Sequence, residues 1–236
     1  MTLRALSQLR GLRAVSFHAG MAPAFVTALR HDYGIALPGD HLSVLQGSNG
    51  IEVYSGYVRL FGIYSQQSVD AITWNQPEYW KFAWGDRCSG YWSFAETAWG
   101  DQYAYSLRSL ADADTAEVYF LDALSMTAQV IAPSFKDFLE NEFLRAAQDP
   151  YDVILKQARQ KFGPLELDSH LTYVPSVLLG GTEDIQNVEK MNARSAMICN
   201  GDIATQLDSG PADRTVAEVQ VYDDELHRMR LRLVWD

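Results

Sequence analysis

The chain has 236 residues, and 47% of them are hydrophobic, so it is long and apolar enough to bury a substantial core. It carries 30 acidic and 19 basic side chains, which gives a formal net charge of −11 at pH 7. This charge argues against a nucleic-acid backbone as the direct partner, because phosphate binding depends on lysine and arginine, and it favours a basic partner.

The first 21 residues contain arginines but no carboxylate, and we predict that they form an N-terminal arm, either poorly ordered or helical. Met21 is an alternative start of the chain. Residues 22–33 then place apolar side chains on one helical face, and Gly34 supplies the left-handed residue that ends the helix. The face consists of Phe25, Val26, Leu29 and Tyr33.

A second helix is predicted to begin at Leu37-Pro38, with the proline at the first helical position, where its missing N–H costs nothing. Leu42 and Leu45 lie three residues apart and can be buried together. Asn49-Gly50 predicts a tight turn, because both residues tolerate positive φ. The aromatic and β-branched residues from Tyr57 to Tyr64 predict a strand after it.

Further strands are predicted at Gln102–Tyr105, after Trp99-Gly100-Asp101, and at Val118–Asp122. Residues 132–139 follow as a helix start, in which Ser134 and Asp137 form a capping box. This ordered set of motifs resembles the SMI1/KNR4 (SUKH) superfamily over roughly residues 22–147. The resemblance implies an α+β fold with a twisted, largely antiparallel sheet flanked by helices. It also implies an immunity protein, since many members are encoded beside polymorphic toxins.

We predict a helix pair from Ser134 to Phe162 and a β-rich C-terminal extension over residues 163–236. Residues 22–162 are the main predicted domain. The extension either adds strands to the sheet of that domain or forms a small satellite. Strands at Val216–Tyr222 and Arg228–Leu233 predict a hairpin in which arginines share one face. That face is either solvated or binds an acidic partner.

Motifs for catalysis are missing from the sequence. It has no Gly-x-Ser-x-Gly elbow, no phosphate-binding loop and no dinucleotide fingerprint, and its five histidines are scattered without metal-ligand spacing. Cys88 and Cys199 are too far apart in sequence to indicate a zinc site or a disulfide framework. The carboxylates of residues 112–117 fit a polar loop better than a calcium loop, because no glycine separates them. We expect no catalytic residue, cofactor or metal.

Five of the six tryptophans fall between Trp74 and Trp99, in a region rich in acidic residues. Aromatic side chains with few lysines are typical of interface hot spots, although many of these rings must also fill the core. We predict partner contacts at Trp80, Trp84, Asp86, Asp101, Asp112, Asp114 and Glu117.

The function predicted from the resemblance and the charge is a non-catalytic immunity protein that binds and neutralises a basic toxin, for example a nuclease or a deaminase. Two alternatives stay open: an intracellular scaffold or regulator of the SMI1/KNR4 type, and a carbohydrate-binding protein. The sequence contains no run of about 18 apolar residues and no apolar signal-peptide segment, so we expect a cytoplasmic protein that does not bind membranes.

Overall fold

The structure, a computed structural model, describes residues 4–64, 69–112, 116–148 and 152–236. A seven-stranded antiparallel sheet forms its centre, and the strand order in the sheet follows the order in the chain. The strands are β1 (Val15–Phe17), β2 (Ile51–Val53), β3 (Val58–Leu60), β4 (Tyr91–Thr97), β5 (Gln102–Ser106), β6 (Val118–Leu121) and β7 (Ala128–Ala132). The short connections β2–β3, β4–β5 and β6–β7 favour this arrangement, whereas β1–β2 and β3–β4 are joined through helices.

Helices cover this sheet and connect its strands. In the first half of the chain they are α1 (Arg4–Arg10), α2 (Pro23–Tyr33), α3 (Gly39–Gly47), α4 (Ala71–Trp74) and α5 (Ser109–Asp112), with a 3-10 segment at Lys81–Arg87. After β7 come α6 (Phe135–Phe138), a π-helical turn (Leu139–Phe143), α7 (Leu144–Gln148) and α8 (Val153–Phe162). The predicted α+β class and antiparallel sheet are confirmed.

The segment predicted as an arm belongs to this core. Ala5, Leu6 and Leu9 of α1 are buried in the main hydrophobic cluster, and β1 pairs with β2 in register Val15 to Val53. Of the two forms predicted for this segment, the helical one is therefore found. The spacing of the apolar residues of α1 explains why, since it places them on one helical face.

The turn predicted at Asn49-Gly50 is found as a bend in the chain, and Asn49 also bonds to Ile63, in the segment after β3. Gly50 has a φ of 117°, and Asn49 is buried. The Asn49 amide donates to the Ile63 carbonyl at 2.9 Å and accepts from the Ile63 N–H at 2.8 Å. Pro38, predicted as the first helical residue, is instead the N-cap of α3, and the helix begins one residue later at Gly39. The turn thus connects α3 to the start of β2 and to the residues after β3.

The helix after β7 begins as the capping box predicts. Ser134 is the N-cap and accepts from the Asp137 N–H at 3.2 Å. Phe135, Phe138 and Phe143 are buried against the sheet, and Phe138 meets Phe94 of β4 at 5.3 Å between ring centroids. This apolar stripe anchors the helix on one face of the sheet.

The C-terminal region forms two hairpins around a long helix. These elements are β8 (Ser169–Tyr173), β9 (Val188–Asn192), α9 (Ala193–Ser209), β10 (Val216–Asp223) and β11 (Met229–Trp235). The predicted β10–β11 hairpin is confirmed, and both hairpins are separate from the seven-stranded sheet, as in the satellite alternative. Helix α9 was not predicted from the sequence, where the N-cap residue Asn192 marks its start.

Buried contacts join α9 to the main domain. The Trp84 indole N–H donates to the Met197 carbonyl at 2.9 Å, and both residues are fully buried. Gly201 lies so close to the 3-10 segment that a Cβ there would stand 2.8 Å from the Ala83 carbonyl oxygen. Glycine is needed at this position for the two backbones to approach.

A buried polar network joins β8 to the sheet in the same way. Glu96 of β4 binds Arg59 of β3 at 2.5 Å and His170 of β8 at 3.1 Å. Arg59 also donates to the carbonyls of Glu166 and Ser169, at 3.2 Å each. Burial raises the pKa of Glu96, but the charges of Arg59 and His170 outweigh burial and lower it below the ordinary value. Glu96 is thus held ionised between the two parts of the chain.

Candidate partner-binding site

The structure removes both tryptophans from the predicted contact set. Trp80 and Trp84 are fully buried, as is Trp74, and Trp92 is 3% exposed. They are core residues because they fill the space between the sheet, the 3-10 segment and α9. Of the five clustered tryptophans, only Trp99 is partly exposed. Tryptophan rings can stack on sugars, and the carbohydrate-binding alternative is therefore left with one partly exposed ring of this cluster, Trp99.

The predicted carboxylates are dispersed. Asp86 and Glu117 are exposed, and Asp101 is partly buried. Asp114 and the side chain of Asp112 lie outside the described residues, so the predicted polar loop at residues 112–117 stays a prediction. Of the seven predicted contacts, Asp101 lines a pocket, and neither Asp86 nor Glu117 is among the described residues that line it.

This acidic pocket has a volume of about 210 Å³ and lies where β5, β6, β8, α8 and α9 come together. The described residues that line it include four carboxylates and no lysine or arginine. They are Trp99, Asp101, Asp122, Ala123, Leu124, Asp152, Leu171, Thr172, Tyr173, Glu183 and Asn200. A pocket of this composition attracts a cationic group.

A stacked aromatic pair forms one wall of the acidic pocket. The rings of Trp99 and Tyr173 are 4.9 Å apart and nearly parallel, at 8°. The Trp99 indole N–H donates to the Asp152 carboxylate at 2.9 Å, and the same carboxylate caps α8 by accepting from the Leu155 N–H. Trp99 is thus fixed by two segments that are distant in sequence.

Gly100 allows this close approach. Its φ of 89° lies in the left-handed region, and a Cβ there would stand 2.9 Å from both His170 Nδ1 and Met197 Sδ. The turn between β4 and β5 can therefore lie directly against β8 and α9. It brings Trp99 and Asp101 to the edge of the C-terminal region.

Hydrogen bonds hold the two inner carboxylates in place. Asp101 accepts from the Thr97 hydroxyl at 2.8 Å and from the Ala123 N–H at 2.9 Å. Asp122 accepts from the backbone N–H groups of Leu124 and Ser125. Burial raises the pKa of Asp101, the hydrogen bonds oppose this, and the Asp122 charge adds to the rise. A bound cation would relieve the repulsion between the two carboxylates.

Tyr173 is a neutral hydrogen-bonding group at the rim of the acidic pocket. Burial, with the charges of Glu183 and Asp152, raises its pKa to about 12. The phenol therefore keeps its proton at physiological pH and can both donate and accept. Glu183 is exposed beside it.

An apolar groove of about 340 Å³ continues from the acidic pocket and shares Thr172, Tyr173 and Asn200 with it. The groove runs between β8, α9 and the β10–β11 hairpin. Its other lining residues are Val174, Pro175, Ser176, Leu179, Met191, Cys199, Ile203, Val219, Val221, Met229 and Leu231. Val174 and Val221 are 51% and 66% exposed. An apolar centre beside charged groups is the usual composition of a protein interface.

Arg228, just before β11, and Arg230 of β11 face α9 and their own hairpin, whereas Arg232 of β11 is exposed. Arg230 binds the Asp202 carboxylate of α9 through two nitrogens, at 2.5 and 2.8 Å, and Arg228 binds Asp224 at 2.6 Å. The Arg230–Asp202 pair attaches the hairpin to α9, and the Arg228–Asp224 pair lies within the hairpin. They favour an internal role for these arginines over the binding of an acidic partner.

Groups that could support catalysis or bind a metal are few. Cys88 and Cys199 are free and buried, and burial raises the pKa of each thiol to about 11, which disfavours the nucleophilic thiolate. Within the described ranges, no three histidines, cysteines or carboxylates are grouped to hold a metal ion. No helix in that part of the chain is both long and apolar enough to cross a membrane.

Comparisons with known proteins match two parts of the chain. The model of the SMI1 / KNR4 family (SUKH-1) matches residues 20–141, and the model described as T6SS immunity protein Tdi1, C-terminal, matches residues 132–203. Both support an immunity-protein role. Comparison with the curated proteins gives no match.

A solved structure shares the fold over nearly the whole chain. The crystal structure of Atu4351 from Agrobacterium tumefaciens superposes with a TM-score of 0.54 at 11% sequence identity. The alignment covers 99% of this chain and 98% of that chain. The acidic pocket draws Asp101 and Asp122 from the first matched segment and Tyr173 and Glu183 from the second.

Of the residues that line this pocket, only Asp101 was predicted from the sequence as a partner contact, and Trp99 was noted only as a member of the tryptophan cluster. Asp122, Asp152, Tyr173 and Glu183 lie in four separate segments, and two of them fall in the region without a recognised motif. Asp152 carried a usable signal, because an aspartate three residues before Leu155 at a helix start is a typical N-cap. Tyr173 and Glu183 carried none.

Proposed function

We propose that this chain, which belongs to the SMI1/KNR4 (SUKH-1) family, is an immunity protein that binds a cognate toxin and neutralises it without catalysis. The observation that carries the proposal is the match of residues 132–203 to the C-terminal model of a T6SS immunity protein. Residues 20–141 match the SMI1/KNR4 family, and many members of that family are immunity proteins. We propose the acidic pocket as the contact site.

We further propose that the toxin is basic, with a nuclease or a deaminase as the leading class. An enzyme acting on nucleic acid needs a positive cleft, and a protein with a net charge of −11 is attracted to it over long range. Occupying that cleft would block the substrate with no chemical step. The site of action would be the cytoplasm, where nucleic acid is the target.

In this proposal a lysine or arginine of the toxin enters the acidic pocket. Asp101 and Asp122 are already fixed by hydrogen bonds, so their ordering costs little when the cation binds. The Trp99–Tyr173 stack offers rigid aromatic area beside them. An apolar segment of the toxin covers the groove that begins at Tyr173. Asp86, Asp112, Asp114 and Glu117 stay candidate contacts of the toxin.

The first experiment is co-expression with the candidate toxin, taken as the product of the gene beside the gene for this chain. We expect this chain to restore growth of a host that the toxin kills. Survival unchanged by co-expression would contradict the immunity role. A neighbouring gene that encodes no secreted, basic protein would favour the scaffold alternative instead.

The second experiment locates the contact surface by charge reversal. Glu183→Lys changes an exposed residue of the acidic pocket, and Glu225→Lys makes the same change at an exposed residue outside it. We expect Glu183→Lys to slow association with the toxin about tenfold at low salt. The effect should shrink at high salt. Equal effects of the two substitutions would indicate a general charge effect and contradict the pocket as the contact.

A further inference from the structure

A separate cavity, here called the cationic cavity, is lined by positive side chains, in contrast to the acidic pocket. It has a volume of about 690 Å³, and three cationic side chains line it, from α8 and from the connection between α1 and β1. The residues that matter here are Arg13, Lys156, Arg159, Tyr54, Ser55 and Gln160. None of the described residues that line it is acidic. This is unusual in a chain with a net charge of −11.

Local structure explains how the cations converge. Lys156, Arg159 and Gln160 are three and four residues apart, so they lie on one face of α8. Opposite them, the turn between β2 and β3 is fixed at two points. Tyr54 donates from its hydroxyl to the Ala147 carbonyl at 2.9 Å, and the Ser55 carbonyl accepts from the Leu165 N–H at 2.9 Å.

The two arginines are available to a ligand. The Arg159 guanidinium lies 3.7 Å from the centre of the Tyr54 ring, which restrains its plane. Arg13 is exposed. Across the residues that the structure describes, neither arginine forms an ion pair with a carboxylate.

We propose that the cationic cavity binds a small ligand that carries clustered phosphate groups. One guanidinium group can bind two phosphate oxygens at once, and a lysine adds a compact positive charge. The hydroxyl of Ser55 and the amide of Gln160 add neutral donors. The volume lies within the range of small-molecule sites. An extended polyanion is disfavoured, because the rest of the protein is acidic and would repel it.

The test is calorimetric titration of the full chain with inorganic tripolyphosphate and, in a separate arm, with ATP. Tripolyphosphate tests the phosphate cluster alone, and ATP tests a nucleotide as its source. We expect saturable binding at low salt that weakens as salt is added. An arm with an oligoglutamate peptide tests an acidic segment of another protein instead.

Three substitutions locate the binding. Arg13→Gln and Arg159→Gln each remove one cation from the cavity, and Arg214→Gln removes an exposed cation that is not among the described lining residues. We expect each cavity substitution to weaken tripolyphosphate binding about tenfold, which is the usual loss for one charged hydrogen bond. Arg214→Gln should leave it unchanged. Arg159 also packs on Tyr54, so Arg159→Gln could disturb the fold as well as the cavity. Arg13 is exposed, and Arg13→Gln therefore tests the charge without this risk.

Three results would overturn the proposal: no saturable binding of either phosphate compound, binding of oligoglutamate alone, or an equal loss in Arg214→Gln. Binding of both compounds with the expected pattern of variants supports it, and the tighter one identifies the source of the phosphates. The proposal does not rest on the immunity role. A chain that fails to protect against a toxin can still bind tripolyphosphate here.

Discussion

Glu96 of β4 and His170 of β8 meet at 3.1 Å in a fully buried site that joins the two parts of the chain matched by different family models. Arg59 completes the contact by binding both Glu96 and the backbone before β8. The C-terminal region is therefore attached to the sheet by charge pairing as well as by apolar packing.

We predict that Glu96→Gln lowers the free energy of unfolding by about 3–5 kcal/mol, because it leaves the buried Arg59 without its counter-charge. Urea unfolding at pH 7 measures this change. The exposed control Glu225→Gln should stay within about 0.5 kcal/mol of the original chain. Equal stabilities for the two variants would show that the pair contributes little.

The same carboxylate predicts a response to acid. Its pKa in the folded state is lowered below the ordinary value of 4.5, so the unfolded chain takes up the proton first. The stability that Glu96 supplies is present above that ordinary value and is lost as the pH falls below it. Below pH 4.5, the stability of Glu96→Gln should depend less steeply on pH than that of the original chain. A parallel pH dependence would contradict this.

We predict that His41 makes the stability of the fold depend on pH in a second range, above that of Glu96. Burial lowers its pKa from 6.5 to about 3, and its ring stacks on Phe135 at 4.2 Å and contacts the Tyr105 hydroxyl at 3.0 Å. The folded state keeps the ring neutral, whereas the unfolded chain binds a proton below pH 6.5. Stability should therefore fall by about 2 kcal/mol between pH 7 and pH 5.

The variant His41→Gln should be less stable at pH 7 but should lack this dependence between pH 7 and pH 5. The control is His31→Gln, because His31 is exposed. It should keep the full loss on acidification, as measured by urea unfolding at both pH values. The assignment to His41 fails if the two variants respond alike.

We predict that Asn49, in the Asn49-Gly50 turn that carries part of the family resemblance, stabilises the fold. Asn49→Ala removes both hydrogen bonds to Ile63 and leaves two buried backbone groups without these partners. We expect a loss of about 2–3 kcal/mol in the free energy of unfolding. Asn49→Asp keeps an acceptor but loses the donor and buries a charge, so it should cost at least as much. A loss below 0.5 kcal/mol in both variants, on the order of a surface change, would contradict this role.

We predict that a side chain at position 201 disturbs the packing of α9 against the 3-10 segment. An added methyl group at Gly201 would stand 2.8–2.9 Å from backbone and side-chain atoms of Ala83, so Gly201→Ala should destabilise the fold. The expected loss is about 1–3 kcal/mol. Gly47→Ala is the matched control, because Gly47 of α3 has its nearest neighbours, the Arg10 and Leu6 side chains of α1, 3.9 Å away, and alanine favours helix. Thermal unfolding should rank Gly47→Ala above Gly201→Ala, and the reverse order would contradict the predicted close approach.

The sequence by itself determined the elements whose signals are short-range. The Ser134 capping box, the Asn49-Gly50 turn and the alternation from Arg228 to Leu233 each lie within a few residues, and the structure has the corresponding helix, turn and hairpin. These signals suffice because capping, turn geometry and side-chain alternation depend on neighbours along the chain.

Only the tertiary structure decided which aromatic rings are buried and which carboxylates meet. Trp84, and not Trp99, was predicted as a partner contact, yet α9 covers Trp84, whereas Asp152 and Tyr173 hold Trp99 at the edge of the acidic pocket. Because α9 and β8 were not recognised beforehand, neither outcome could be predicted. Burial and pocket formation depend on contacts between distant segments, and no local pattern records those contacts.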